Sequence, residues 1–364
     1  MRPLRLAPAA ALWLAAAAAA ALSETDFNAA PAPTYFTNPV LAHDFPDPTV
    51  LRGGDGFFYV YATMGGGHHI QVASSPDLVA WDYHGEALEP PAWMGSASWA
   101  PDVTLHNGTF FMYFGAMHAT SGVMCIAVAT SASPLGPFRD ARGSPLFCSP
   151  PAPENFAAID PKSFDDEATG KIWLYFGSDG APISAVELAG NRTALAPGSP
   201  PPFPPLHPLV TADPAQPYEG TLVEGAWLHK SQGLFYLFYS GNNCCSSGAH
   251  YAVMVARAGD AQGPFVKIGN ATGSGSNVIL SEGAGGVFAA PGHNSVITDD
   301  AGQDFIFYHA YRAGDLAGPR MLLMDRIVYD ASGWPRVGEP SSTPQLAPTV
   351  NGVRGGGGGG RKDR

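Results

Sequence analysis

The chain has 364 residues and a formal net charge of −12, which argues against nucleic acid or an anionic membrane surface as a partner. Only 14% of residues are charged, against 44 glycines and 35 prolines, so the chain is rich in turns and poor in helix surface. Its 45% hydrophobic and 11% aromatic content can fill a large core and excludes a disordered polymer.

The first element in chain order is an address segment. Arg2 and Arg5 precede an uncharged, mostly apolar run from Leu6 to Leu22, and Ala21 and Ser23 put small residues at the −3 and −1 positions of a cleavage before Glu24. This predicts a signal peptide over residues 1–23 and a secreted, extracellular protein. A run of about 17 residues is short for a bilayer span, alanine is only weakly hydrophobic, and no second apolar run is long enough to cross, so no membrane partner is expected. Residues 24–37 read as a lead-in, 38–350 as one domain, and 351–364, with Gly355 to Gly360, as a disordered tail. Three sequons, at Asn107, Asn191 and Asn270, sit among turn-forming residues and fit export.

The domain is an internal repeat. Gly56, Gly108, Gly170, Gly233 and Gly302 are each followed three residues later by an aromatic (Tyr59, Phe111, Trp173, Tyr236, Phe305) and five residues later by another (Tyr61, Tyr113, Tyr175, Phe238, Phe307). Between them stands an aliphatic residue or Met: Val60, Met112, Leu174, Leu237, Ile306. Alternation of β-prone side chains predicts a strand. The copies lie 52 to 69 residues apart, enough for four short strands each. An apolar strand precedes every copy and another follows, with fourth strands at Trp81-Asp82-Tyr83 and Phe265-Val266-Lys267. Five four-stranded units predict an all-β, five-bladed β-propeller.

In a propeller the first strand of each blade lines the central channel. Asp47, Glu224 and His293 each lie nine residues before their repeat glycine, Asp160 lies ten before its own, and blade two offers Trp99-Ala100-Pro101-Asp102 at the corresponding place. Singly, Asp-Pro is a common turn opener. Together, three carboxylates and a histidine in shared register would meet on one axis, a costly arrangement unless the charges perform chemistry.

The four cysteines, Cys125, Cys148, Cys244 and Cys245, allow three pairings in an oxidising compartment. Cys125–Cys148 is the simplest bridge; the adjacent pair is then left for vicinal bonding or as free thiols. No CxxC-like pair supports a zinc site.

The ordered pieces His43-Asp44-Phe45-Pro46-Asp47-Pro48, Trp99-Ala100-Pro101-Asp102-Val103, Ala158-Ile159-Asp160-Pro161, Val223-Glu224-Gly225, Pro291-Gly292-His293-Asn294-Ser295 and Tyr308-His309-Ala310-Tyr311 resemble glycoside hydrolase family 43, and within it the arabinanase and arabinofuranosidase group. The likeness runs from about Asn38 to Gly338, one blade at a time. It implies hydrolysis with inversion of a plant-type polysaccharide, foremost 1,5-α-L-arabinan, with relatives acting on β-xylosides or galactosides as the alternative. It makes Asp47 the general base, Glu224 the general acid, and Asp160 the residue that orients the acid and raises its pKa. It makes Asp102, His309 and Arg320 substrate contacts and Phe45 and Trp99 sugar-stacking walls, ordinary propeller core being the other reading of those two. It places His293 on the channel axis, where family members hold a calcium-like ion mostly through water, a structural hydrogen-bonding histidine being the alternative. No cofactor is required for the chemistry, and a monomer is expected. Gly225 departs from the apolar residue that usually follows the acid in arabinanases. A non-catalytic sugar-binding propeller would be expected to lack an acid or a base; here all three carboxyl positions are filled. A WD-type interaction scaffold would carry Trp-Asp signatures that these blades lack.

Overall fold

Each repeat glycine closes a hairpin in a left-handed backbone conformation, with φ of 90° at Gly56, 76° at Gly108, 71° at Gly170, 79° at Gly233 and 81° at Gly302. A side chain at this φ would be strained, which is why the repeat is punctuated by glycine. The computed structural model describes residues 34–150, 156–177, 180–197 and 207–351. The expected signal peptide, most of the lead-in and all of the tail beyond residue 351 lie outside the described residues.

The hairpins build five antiparallel sheets. Blade one contains Thr49–Arg52, Phe58–Ala62, Gln71–Ser75 and Asp82–Glu86. Blade two contains Met94–His106, Thr109–His118 and Met124–Ser131, edged by Arg139–Asp140 and Phe147–Cys148. Blade three contains Lys162–Asp166, Lys171–Phe176, Ile183–Leu188 and His207–Val210. Blade four contains Val223–Ser231, Leu234–Asn243 and His250–Ala258, edged by Val266–Lys267 and Val278–Leu280. Blade five contains Phe288–Thr298, Asp304–Arg312 and Met321–Arg326. First strands of successive blades touch in a closed ring, one to two, two to three, three to four, four to five, and five back to one. The architecture is the five-bladed propeller that the repeat predicts.

The repeated aromatics are buried on both faces because each blade is packed on both sides. Tyr59 and Tyr61 of blade one meet Met112 and Phe114 of blade two. Phe111 and Tyr113 meet Leu174 and Phe176, Trp173 and Tyr175 meet Leu237 and Tyr239, and Tyr236 and Phe238 meet Ile306 and Tyr308. Phe305 and Phe307 close the circle against Phe58 and Val60. Each fully buried side chain of this kind contributes about 1.5–3 kcal/mol. Tyrosine hydroxyls in these layers donate to backbone carbonyls farther along the chain: Tyr61 to Pro134, Tyr113 to Arg192 and Tyr175 to Ala261. Buried phenols need such partners.

Blade five has three strands of its own. The chain just before blade one supplies the missing edge: Val40 and Leu41 donate to the Leu322 carbonyl at 3.0 and 3.3 Å, and Leu322 donates back to Leu41 at 3.1 Å. Tyr35–Phe36 also pairs with Gln345–Leu346. Both disulfides form, one between directly paired residues Cys125 and Cys148 and the other between the neighbours Cys244 and Cys245. Among the described residues the only helix is Ile268–Thr272, and no helix is long and apolar enough to cross a membrane.

Candidate active site

At one end of the first strands every blade turns through a left-handed residue: Asp47 (φ 57°), Ala100 (44°), Asp160 (54°), Gly225 (63°) and His293 (47°). A non-glycine residue held this way costs about 1–2 kcal/mol, and such positions gather at functional sites. The shared register therefore has a structural basis, with one correction. In blade four the left-handed position is occupied by Gly225, and Glu224 stands one residue earlier, paired with Ser240 of the second strand. Glu224 thus reaches the centre from a different backbone position than the two aspartates. Glycine avoids two costs here: its φ is positive, and a Cβ would lie 3.2 Å from the His293 ring.

Asp47, Asp160, Glu224, His293, Arg320 and Trp99 line one cavity of about 280 Å³. A larger hollow of about 520 Å³ opens around His229, Asp304 and Tyr329. Its carboxylate is already held by His229 at 3.1 Å, Thr298 at 2.5 Å and Tyr329 at 2.8 Å, and none of the converging acids reaches it. The smaller cavity is the chemical one.

Asp47 is almost fully buried. Thr63 Oγ1 donates to its Oδ2 at 2.5 Å, and Thr63 in turn accepts from the Ala100 N–H at 2.8 Å. Around Oδ1 stand His309 Nδ1 at 3.2 Å, His293 Nδ1 at 3.4 Å and Arg320 at 3.6 Å. Burial alone would raise the Asp47 pKa, but the His293 and Arg320 charges and the His309 hydrogen bond outweigh it, and the carboxyl sits well below its usual range. His293 itself is lowered to about 4, burial overcoming its attraction to Asp47. At neutral pH the imidazole is therefore uncharged, and Arg320 is the cation that holds the Asp47 anion.

Asp160 goes the other way. Burial, then the Glu224 charge, then the Asp47 charge raise it well above the ordinary value, against a 3.1 Å hydrogen bond donated by Gly225 N–H. Repulsion between these buried carboxyls makes Asp160 hold a proton more readily than Asp47, whose neighbours favour the anion. Glu224 Oε1 accepts a 2.7 Å hydrogen bond from the Tyr251 hydroxyl. Tyr251 is held neutral: burial and the Glu224 and Asp160 charges push its pKa well above 10.

Among the other residues singled out in the sequence, Trp99 and Arg320 line the cavity. Phe45 is completely buried in the layer between blades five and one and presents no face to a sugar. Asp102 is also buried, held by Lys162 Nζ at 2.8 Å and by the Ser163 N–H and hydroxyl at 2.8 and 2.7 Å, so it links blades two and three. His309 lies buried beside Asp47, with its ring parallel to Tyr251 at 5.8 Å. Sequence reasoning missed Thr63 and Tyr251, which stand outside the first strands it inspected. Gly292 has a local reason of its own, since a Cβ there would enter the Tyr251 ring.

The donors for a cation on the axis are few. Among the described residues no group of three or more His, Cys, Asp or Glu side chains could hold a metal ion, and His293 Nδ1 faces Asp47 and Asp160 at 3.4 and 3.9 Å. These residues do not build a protein cage for Ca2+.

The family described as "Glycosyl hydrolases family 43" matches residues 36–335. The chain is 29% identical to the extracellular exo-α-(1→5)-L-arabinofuranosidase ArbA of Cellvibrio japonicus, covering 81% of this chain and 87% of that one. It is 27% identical to the extracellular endo-α-(1→5)-L-arabinanase 1 of Bacillus subtilis, covering 88% and 95%. A thermostable family-43 glycoside hydrolase of known structure superposes with a TM-score of 0.71 at 29% identity, over 87% of this chain and 100% of the other. With a propeller whose axis gathers two aspartates and a glutamate, the chain belongs to glycosyl hydrolase family 43 and is a glycosidase acting on O-glycosyl compounds.

Proposed function

We propose that the protein is a secreted, monomeric hydrolase of 1,5-α-L-arabinan that works with inversion at the anomeric carbon. The observation that carries this reading is the arrangement in one cavity, where Asp47 faces Arg320 at 3.6 Å while Glu224 stands across from it beside Asp160 and the Tyr251 hydroxyl. An inverting glycosidase needs a pairing of an ionised base with a protonated acid. Asp47 takes a proton from water as the water oxygen bonds to the anomeric carbon. The glycosidic bond breaks on the opposite side, its electron pair goes to the leaving oxygen, and Glu224 protonates that oxygen. Asp160 positions the acid through Gly225 and by repulsion. Arg320 keeps Asp47 ionised, and Trp99 offers an apolar wall to the sugar.

Arabinan as substrate, and export, are supported by relatives named as extracellular arabinan-cleaving enzymes. The test is hydrolysis of arabinan, xylan and galactan followed by NMR of the first product formed. Release of β-configured arabinose units from arabinan supports the proposal, and product sizing separates exo from endo action. Initial release of the α-anomer would overturn inversion, and preference for xylan or galactan would overturn the substrate.

A further inference from the structure

We infer that the Cys244–Cys245 disulfide is a specificity-determining element of this site, an apolar shelf that receives the sugar on the leaving-group side of the bond being cut. The inference rests on the proposed arabinan hydrolysis and adds a residue pair and a subsite to it.

Two neighbouring hollows carry the argument. The catalytic cavity holds Asp47, Asp160 and His293. A second cavity of about 300 Å³ is lined by Thr221, Leu222, Glu224, Asn242, Asn243 and Cys244. Only Glu224 and Cys244 border both. A general acid must touch the oxygen joining the sugar under attack to the sugar that leaves. The cavity containing the base therefore takes the first, and the cavity that shares the acid but not the base takes the second. Cys244 stands on that boundary, beside the scissile bond.

The chemistry of the pair suits the position. A disulfide has no S–H to donate and no charge, and its polarisable sulfurs pack against C–H groups, as a sugar ring face requires. Cys244 packs against Tyr251, the ring whose hydroxyl holds Glu224, together with Ala290 and Tyr311. Cys245 Sγ lies 3.5 Å from the Arg320 guanidinium, which also faces Asp47. As a disulfide, Cys245 cannot become a thiolate and draw Arg320 away from the base. The covalent link between neighbours also fixes the shelf before substrate arrives, which lowers the ordering cost of binding.

The test compares the full-length protein with the double variant Cys244→Ala/Cys245→Ala on two probes. One is α-1,5-linked arabinotriose, whose leaving group is a sugar. The other is α-L-arabinofuranosyl fluoride, whose leaving group fills no subsite. The expected result is a rise in KM of about tenfold for the trisaccharide, the size of a lost well-packed contact, with a clearly smaller loss of kcat/KM for the fluoride, because both sulfurs also border the cavity of the base. Cys244→Ser/Cys245→Ser, which keeps the side-chain size, should show the same split, and Cys125→Ala/Cys148→Ala should show none. Circular dichroism spectra that match the parent protein exclude misfolding as the cause. An unchanged trisaccharide KM, or an equal loss on both probes in both double variants, would overturn the shelf. A parent protein that cleaves neither these probes nor polymeric arabinan would overturn the arabinan reading itself, and the shelf with it.

Discussion

The Tyr251 hydroxyl donates a 2.7 Å hydrogen bond to Glu224 Oε1, while its ring stacks on that of His309, 9° from parallel. His309 in turn stands beside Asp47. One buried tyrosine therefore spans from the acid to the neighbour of the base. Tyr251→Phe keeps the ring and removes the hydroxyl. We expect kcat on arabino-oligosaccharides to fall by about tenfold, as for loss of a hydrogen bond to an ionisable group, with KM unchanged. Steady-state kinetics check this, and a change confined to KM would refute the positioning role.

Glu224→Gln should remove the proton donor and leave the Asp47 base intact. Polysaccharide turnover should fall by about 10²–10⁴-fold, while nitrophenyl glycosides, whose leaving group needs no proton, should retain far more activity. Asp47→Asn should abolish both, because no leaving group compensates for an unactivated water. The reverse pattern in parallel assays would mean that acid and base are exchanged.

Asp160→Asn has two expected readouts. The alkaline limb of the pH–rate profile should move to lower pH, since the neutral amide no longer repels a charge on Glu224. Stability at neutral pH should rise. Asp160 has a folded pKa raised above its unfolded value near 3.9, so the folded state binds more protons and loses stability as pH climbs from about 3.9 through the folded pKa. Asparagine removes that loss. Thermal unfolding at pH 7 should show a gain of roughly 1–3 °C; a clear decrease would contradict the repulsion.

His293 makes the opposite claim in acid. Its folded pKa of about 4 lies below the ordinary imidazole value of 6.5, so the unfolded chain binds the extra proton as pH falls between these values. Stability should decline across that window by up to roughly 3 kcal/mol. Chemical denaturation at pH 6.5 and pH 4 should show a smaller difference in His293→Gln than in the parent protein. Equal slopes would show that this histidine is not the titrating group.

Gly225→Ala should destabilise the protein by about 1–2 kcal/mol, because the left-handed backbone at φ 63° strains any side chain, and should also press the new methyl on His293, 3.2 Å away. Urea denaturation and activity should fall together. Full retention of both would mean that the corner relaxes.

The propeller was legible in the sequence because the aromatic repeat serves a packing layer that recurs between every pair of blades, and repetition amplifies a weak signal. Asp47, Asp160 and His293 were legible because they occupy the same left-handed corner. Glu224 was found by motif and nominal spacing, although its corner belongs to Gly225. Phe45 and Asp102 show the limit. Both sit within motifs that lead to the axis, yet one faces a blade interface and the other a lysine from the next blade. Side-chain direction at the end of an irregular strand depends on bulges that spacing does not reveal, and Met94–His106 contains two. Tyr251 was invisible because a third-strand tyrosine looks like any other core residue until the fold brings it to the acid.

The pairing of Val40 and Leu41 with Leu322 makes the ring a seam rather than a continuous hoop, and the seam runs straight into the chemistry. Beyond it, Phe45 N–H donates to the Arg320 carbonyl at 2.8 Å, Arg320 N–H donates to Asp44 Oδ1 at 3.0 Å, and three residues after Asp44 comes Asp47. One short zipper of hydrogen bonds, main-chain but for the Asp44 carboxylate, thus delivers the base from one end of the chain and its cationic partner from the other. Unzipping those few residues would separate Asp47 from Arg320 while the remaining blades kept their own sheets. The enzyme would then fall silent before it unfolds, and heat inactivation would precede the loss of bulk β-structure.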